Sequence, residues 1–150
     1  FEGEHYRLAG VHSGPLPARP IGIWLGVNGP RALRLAGQVA DGWVPSFRGD
    51  LRALRDMGER LDQGAVEAGR DPGELRRVLN VVGVITDGAS QGILRGPAAQ
   101  WVDDLTTLVI EHGFDTFILW TDAPGQLPRF AEEVVPAVRA HVASERPTRS

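Results

Sequence analysis

The sequence predicts an α/β fold in which four consecutive βα units lay down a parallel sheet, forming half of a (β/α)8 barrel. Short apolar runs alternate with longer amphipathic ones across Gly/Pro punctuation, which is the pattern of βα units. Four such units can be counted, and no fifth strand is found for the rival, a small doubly wound sheet of flavodoxin type. A complete eight-stranded βα barrel takes about 250 residues, so four units within 150 residues make close to half of one.

The first apolar run, Ile21-Gly22-Ile23-Trp24-Leu25-Gly26, reads as the first strand. Asn28 or Gly29 can cap the helix that follows, and Pro30 suits its first position, so a helix is expected over 31–39. A very short second strand is expected over 42–45, after Asp41. Asp50 then caps an amphipathic helix with Leu51, Leu54, Leu61, Ala65 and Ala68 on one stripe, and Gly69 is placed to end it. Asp71-Pro72-Gly73-Glu74 opens a single helical turn. The near-continuous apolar run 78–85 suits a third strand covered on both faces. A polar, Gly-rich loop over 86–96 leads to Pro97 and a helix through His112, with Trp101, Leu105, Leu108 and Val109 inward and Gly113 closing it. The fourth strand is 115–120. The last helix carries Leu127, Phe130, Ala131, Val134, Val135 and Val138 at helical spacing, with Pro136 expected to kink it. Residues 1–20, with a short strand and a Pro-rich approach, read as an inserted loop; 21–143 form the half-barrel, and 144–150 a disordered tail.

Composition excludes several classes of chemistry. With no cysteine there is no disulfide framework, Cys-ligated metal or thiol nucleophile, which fits a reducing, cytoplasmic location. The net charge of −3 argues against a nucleic-acid partner. Every basic residue is Arg, so Schiff-base and P-loop lysine chemistry are absent from this chain. No apolar run approaches the roughly 20 residues that span a bilayer. His5, His12, His112 and His141 show no metal-ligand spacing, and His112 reads most simply as a dipole partner at a helix C-terminus. Asp103 and Asp104 favour the positive end of their helix. The chain opens on Phe1 and not Met, so it reads as a piece of something longer.

Two places stand out as candidate ligand sites. Gly26-Val27-Asn28-Gly29 lies at a strand's C-terminal end and a helix N-terminus, where free N–H groups and the helix dipole favour a phosphate. An ordinary turn capped by Asn28 is the plainer reading of the same residues. In Asp41-Gly42-Trp43-Val44-Pro45-Ser46, Trp43 suits a pocket wall or the core equally, while Ser46 offers a hydroxyl to phosphate or ribityl oxygens. Asp41 reads better as a backbone-bonding turn residue. Asn80, Thr86, Trp120 and Thr121 fall on or after strands that end at the same face, with Asn80 placed to face a barrel lumen or to sit as a satisfied core amide. Arg31 and Arg34 flank the first loop, their surface placement being simpler than contact with a ligand.

A set of segments resembles the luciferase-like monooxygenase family, the flavin- or F420-dependent oxidoreductases built on a TIM barrel. They are Gly3-Glu4-His5-Tyr6, Pro20-Ile21-Gly22-Ile23-Trp24-Leu25-Gly26, Gly29-Pro30-Arg31-Ala32-Leu33-Arg34-Leu35, Ala40-Asp41-Gly42-Trp43-Val44-Pro45, Ala68-Gly69-Arg70-Asp71-Pro72, Gly113-Phe114-Asp115-Thr116-Phe117-Ile118-Leu119 and Glu133-Val134-Val135-Pro136-Ala137-Val138-Arg139. The resemblance implies the last four strands of the family barrel, with 1–20 as the insertion before them. It implies F420 or FMN as cofactor and a cofactor-binding role for Gly26, Val27, Asn28, Gly29, Trp43 and Ser46. It also implies that the usual acid/base and substrate residues belong to a half this chain lacks, so little turnover is expected of it alone. A different class of function fits the same fold: a non-catalytic half-barrel whose open sheet edges are closed by a second copy, giving a homodimeric eight-stranded barrel.

Overall fold

The computed structural model describes residues 1–10 and 14–145. In chain order the first elements are β1 (Trp24–Leu25), α1 (Pro30–Val39), β2 (Gly42–Trp43), α2 (Leu51–Glu67) and β3 (Arg76–Val81). They are followed by β4 (Val84–Ile85), β5 (Arg95–Gly96), α3 (Ala98–Ile110), β6 (Thr116–Leu119), α4 (Gln126–Arg129), a π-helical turn (Phe130–Val134) and α5 (Val135–Glu145). β1, β2, β3 and β6 make one parallel sheet in that order, so the expected four βα units are present. Parallel pairing brings all four C-terminal strand ends to one side, the mouth of the partial barrel.

The first two strands are shorter than their apolar runs, because only two residues of each complete the ladder. The third run divides. Val84–Ile85 leaves the main sheet after Gly83 and pairs in parallel with Arg95–Gly96, inside the segment expected to be loop. A side chain on Gly83 would place its Cβ 1.9 Å from the Leu94 carbonyl oxygen, so the chain makes this turn only with glycine there. Residues 1–8 form a small hairpin with a Glu2–Arg7 bridge and add no strand to the sheet. Ser144 and Glu145, expected in the tail, are the last two residues of α5. Residues 146–150 of that tail, and His12, lie outside the described residues. Among the described residues no helix is long and apolar enough to cross a membrane.

The helices cover one sheet face. Leu33, Leu54, Leu61, Trp101 and Leu105 pack there against Trp43 and Leu79, all at most 2% exposed. On the other face Trp24, Ile118 and Trp120 remain 50%, 48% and 72% exposed. α1 and α2 approach at backbone distance: a Cβ on Gly37 would lie 2.0 Å from the Leu61 carbonyl, and one on Gly64 2.2 Å from that of Arg34. An Arg34–Glu67 ion pair flanks this contact. The Gly69-Arg70-Asp71 run gains a physical account. Gly69, at φ +70°, ends α2, as its position predicted, and Arg70 then donates to the carbonyls of Gly37 and Ala40 at 2.7 Å each, satisfying the end of α1. Asp71 accepts from the Gly73 N–H at 2.8 Å to cap the next turn.

The last helix departs from its predicted stripe. Pro136 has no N–H for the Glu132 carbonyl, and the Val135 N–H bonds five residues back to Phe130, making the π turn. One extra residue in that turn shifts the upstream phase by about 100°. Leu127, expected inward, is therefore 63% exposed, and Gln126 takes its place facing the fold. Phe130 stays half-buried, edge-on to Trp101 with ring centres 5.9 Å apart.

Gly64→Ala is expected to cost about 2 kcal/mol or more, because backbone and not a flexible side chain meets the new methyl. Leu127→Gln should leave stability within about 0.5 kcal/mol, as befits an exposed site. Thermal melts of the two variants check both, and a large loss in Leu127→Gln would contradict the phase shift.

Candidate functional site

The loops after β1 and β2 meet at the mouth. Val44 N–H bonds the Leu25 carbonyl at 3.0 Å, continuing the seam one step beyond the ladder. Farther out, Asn28 exchanges two hydrogen bonds with the Ser46 backbone: its Nδ2 donates to the Ser46 carbonyl at 3.0 Å, and its Oδ1 accepts from the Ser46 N–H at 3.2 Å. The Trp43 indole donates to the Val27 carbonyl at 2.8 Å. Four of the six predicted site residues, Val27, Asn28, Trp43 and Ser46, are thus tied together.

For two of these residues the structure chooses between the roles left open by the sequence. Asn28 does not cap α1; its carboxamide is used by Ser46, and Gly29 is the N-cap, with no side-chain hydrogen bond there. Trp43 does not wall an open pocket. It is fully buried on the helix-covered face, stacked on Phe114 with ring centres 5.8 Å apart, and acts on the mouth through Val27. Beyond the paired strand residues, alternation sends Trp43 to the core because Gly42 is the residue on the open face beside Trp24.

The cap itself is open. No acidic residue lies in the first turn of α1, and Pro30 contributes no donor, so the N–H groups of Arg31 and Ala32 are the ones left without an intrahelical acceptor. A Cβ on Gly29 would meet nothing within 4 Å, and one on Gly26 only the Val44 carbonyl at 3.6 Å. Backbone N–H groups, the positive end of a helix dipole and room for close approach suit an anionic oxygen, phosphate in particular. Arg31 is exposed beside this end.

The remaining candidates scatter. Asp41 lies at the other end of β2, where its carboxylate accepts from the Ile23 N–H at 2.7 Å, the backbone-bonding role expected of it. Asn80 is half-buried on β3 between two fully buried core residues, Leu79 and Val81, and so takes the open face. Thr86 N–H pairs with Gly96, Trp120 is exposed, and the Thr121 hydroxyl accepts from the Ala123 N–H at 3.2 Å. Asp104 serves no dipole; it accepts from the N–H of Leu94, whose φ is +56°. Two residues of the mouth went unread in the sequence, Gln126 and Arg129, which bond the Ile85 backbone. Their signal lay in Pro136, whose effect on helix phase decides which side chain points inward.

A cleft of about 640 Å³ opens at the far end of the strands, lined among others by Arg55, Asp62, Arg77 and His112. His112 is no cationic dipole partner. It is buried, and desolvation together with the charges of Arg55 and Arg77 lowers its pKa, against the opposing pull of Glu111. Among the described residues no group of three His, Asp or Glu side chains is placed to hold a metal ion.

A family model for luciferase-like monooxygenases matches residues 1–103. The chain belongs to the luciferase-like monooxygenase family. Curated relatives of this luciferase-like chain include the F420-dependent glucose-6-phosphate dehydrogenase of Nakamurella multipartita, 44% identical over an alignment 75 residues long that covers 42% of this chain and 22% of that protein. The enzyme of the same name from Mycolicibacterium gilvum is 28% identical over 82 residues, 54% of this chain and 24% of that protein. The matched stretch is thus under a quarter of either relative.

Solved structures show the same fold. An F420-dependent secondary alcohol dehydrogenase superposes with TM-score 0.72 at 17% identity, over 93% of this chain and 55% of that one. A long-chain alkane monooxygenase gives 0.69 at 16% identity, over 94% and 46%. The F420-dependent tetrahydromethanopterin reductase of Methanopyrus kandleri gives 0.63 at 15%, over 77% and 50%. The chain spans about half the length of these enzymes, which accounts for a four-stranded partial barrel.

Because folded His112 binds its proton less readily than the unfolded residue, the native state loses stability as pH falls from about 6.5 toward the lowered value, and is unaffected above it. Melts between pH 7.5 and about 5 should show that slope in the wild type and a flatter one in His112→Gln.

Proposed function

We propose that this chain is the cofactor-phosphate side of an F420- or FMN-dependent oxidoreductase, with F420 the preferred cofactor. The observation that carries this is the uncapped N-terminus of α1 at Gly29, held open at the mouth by the Asn28–Ser46 bonds. The names of the F420-dependent relatives support the choice of cofactor.

In this reading the Arg31 and Ala32 N–H groups and the α1 dipole hold phosphate oxygens, and the Ser46 hydroxyl donates from the facing loop. Gly26 and Gly29 let the phosphate approach the backbone. Asn28 fixes the distance between the two loops, and Trp43, anchored in the core, sets the height of Val27. Bound F420 or FMN supplies the hydride or oxygen chemistry, which belongs to the cofactor. The open sheet face, with Trp24, Ile118 and Trp120, excludes water from one side only, so this chain alone binds without appreciable turnover. A cytoplasmic location goes with this function.

The exposed apolar face and the two unpaired edges, β1 and β6, favour a second reading, self-association. A two-fold axis along the barrel would pair β6 of each copy with β1 of the other, in parallel at both seams, and bury the open face.

Titration with F420 and with FMN, followed by fluorescence, tests the first reading against Gly29→Asp. Aspartate is a favourable N-cap, so the variant should fold at least as well, while its carboxylate takes the donors and repels phosphate; affinity should fall about tenfold or more. Uptake of neither cofactor, or equal binding by the variant, refutes the phosphate site. For the second reading, light scattering at micromolar concentration should give a dimer mass that Ile118→Glu reduces to the monomer. A sharp monomer mass for the wild type rules self-association out.

A further inference from the structure

β4 has one satisfied side. Val84 N–H bonds the Leu94 carbonyl at 3.1 Å and Thr86 N–H the Gly96 carbonyl at 2.9 Å, so the N–H and carbonyl of Ile85 between them point away from β5. Among the described residues no strand lies beyond them, and Ile85 is only 2% exposed, where unpaired backbone groups are costly. The Gln126 carboxamide meets both: Oε1 accepts from the Ile85 N–H at 2.7 Å, and Nε2 donates to the Ile85 carbonyl at 3.2 Å. These are the bonds a neighbouring strand would make.

Arg129, one turn on, reinforces the contact. Its Nη1 donates to the same carbonyl at 3.2 Å, its Nη2 reaches Asp87 at 2.9 Å, and Glu133 holds the guanidinium from the other side at 2.8 Å. The segment is pinned from the core as well, by the Trp101 indole on the Val84 carbonyl at 3.3 Å. Only the π turn, one residue out of α-helical phase, points Gln126 rather than Leu127 at this backbone.

We propose that Gln126 is a positioning residue of the cofactor mouth, tying the segment after β3 to the first helical turn after β6 so that the two mouth loops move as one unit. The proposal rests on the cofactor reading of the mouth for its functional part, while the coupling stands on the contacts alone. Residues 83–87 and 120–126 both leave C-terminal strand ends, and with the link intact neither wall of the mouth opens without the other.

Amide hydrogen exchange on the wild type, Gln126→Ala and Gln126→Glu tests this, with thermal melts and F420 titrations on the same proteins. In Gln126→Ala the Ile85 amide should exchange about tenfold faster or more, the 121–126 amides should accelerate with it, and core amides of β3 should keep their protection. Gln126→Glu keeps an acceptor for the Ile85 N–H but has no donor for its carbonyl, so intermediate exchange is expected. F420 affinity should weaken about threefold or more in Gln126→Ala and less in Gln126→Glu, at nearly unchanged melting temperature. Unchanged Ile85 exchange, or a faster Ile85 with 121–126 unmoved, overturns the coupling. Unchanged F420 affinity once Ile85 is freed, or a loss of protection spread over the whole chain, overturns the positioning role. A wild type that takes up no F420 refutes the cofactor reading, and the exchange comparison then decides the coupling by itself.

Discussion

Backbone hydrogen bonding along strands too short to complete a ladder is the constraint on which this structure depends. β1 and β2 pair over two residues each, yet their seam continues at both ends. At one end the Asp41 carboxylate takes the Ile23 N–H; at the other the Trp43 indole takes the Val27 carbonyl and Asn28 takes both polar groups of Ser46. Side chains here do the work of strand residues. Gln126 repeats the device on Ile85, and Arg70 does the same for the last carbonyls of α1. The part-buried bonds, on Val27, Gly37, Ala40 and Ile85, satisfy backbone groups that burial would otherwise leave unpaired, while those on Ile23 and Ser46 lie at the exposed surface.

That device also places the mouth. A loop tied by Asn28 to its neighbour cannot wander, so the uncapped end of α1 is presented at a fixed distance from Ser46. Close packing of α1 on α2 through Gly37 and Gly64 sets the tilt of the same helix from behind. The site is therefore assembled by two contacts that have no chemistry of their own, one between loops and one between helices.

Much of the fold was legible in the residues. Asp50 and Asp71 cap where their spacing said, Gly69 ends α2 in the left-handed region, and the inward stripe of α3 is buried as its period required. Local chemistry decides such features, since a cap or a turn involves neighbours within four or five positions. The candidate site was half legible. Loops 26–29 and 42–46 do meet, and tertiary contacts choose among the tasks left open inside them: Asn28 ties the loops together, Gly29 caps, and Trp43 belongs to the core. His112 was misread for the same reason. A helix end argues for a cation there, whereas burial first, and then the charges of Arg55 and Arg77, distant in sequence, favour the neutral imidazole.

By itself the sequence determined the alternation of βα units, their number, the aspartates that open α2 and the turn after it, the glycine that ends α2, and the family the chain resembles. All of these follow from period and from short-range backbone chemistry. Tertiary structure alone decided which polar side chains complete which backbone edges, because those pairs lie 16 to 41 residues apart. It also decided the phase of the last helix. One missing N–H at Pro136 turns Leu127 out and Gln126 in, and only the Ile85 backbone waiting opposite gives that exchange a purpose.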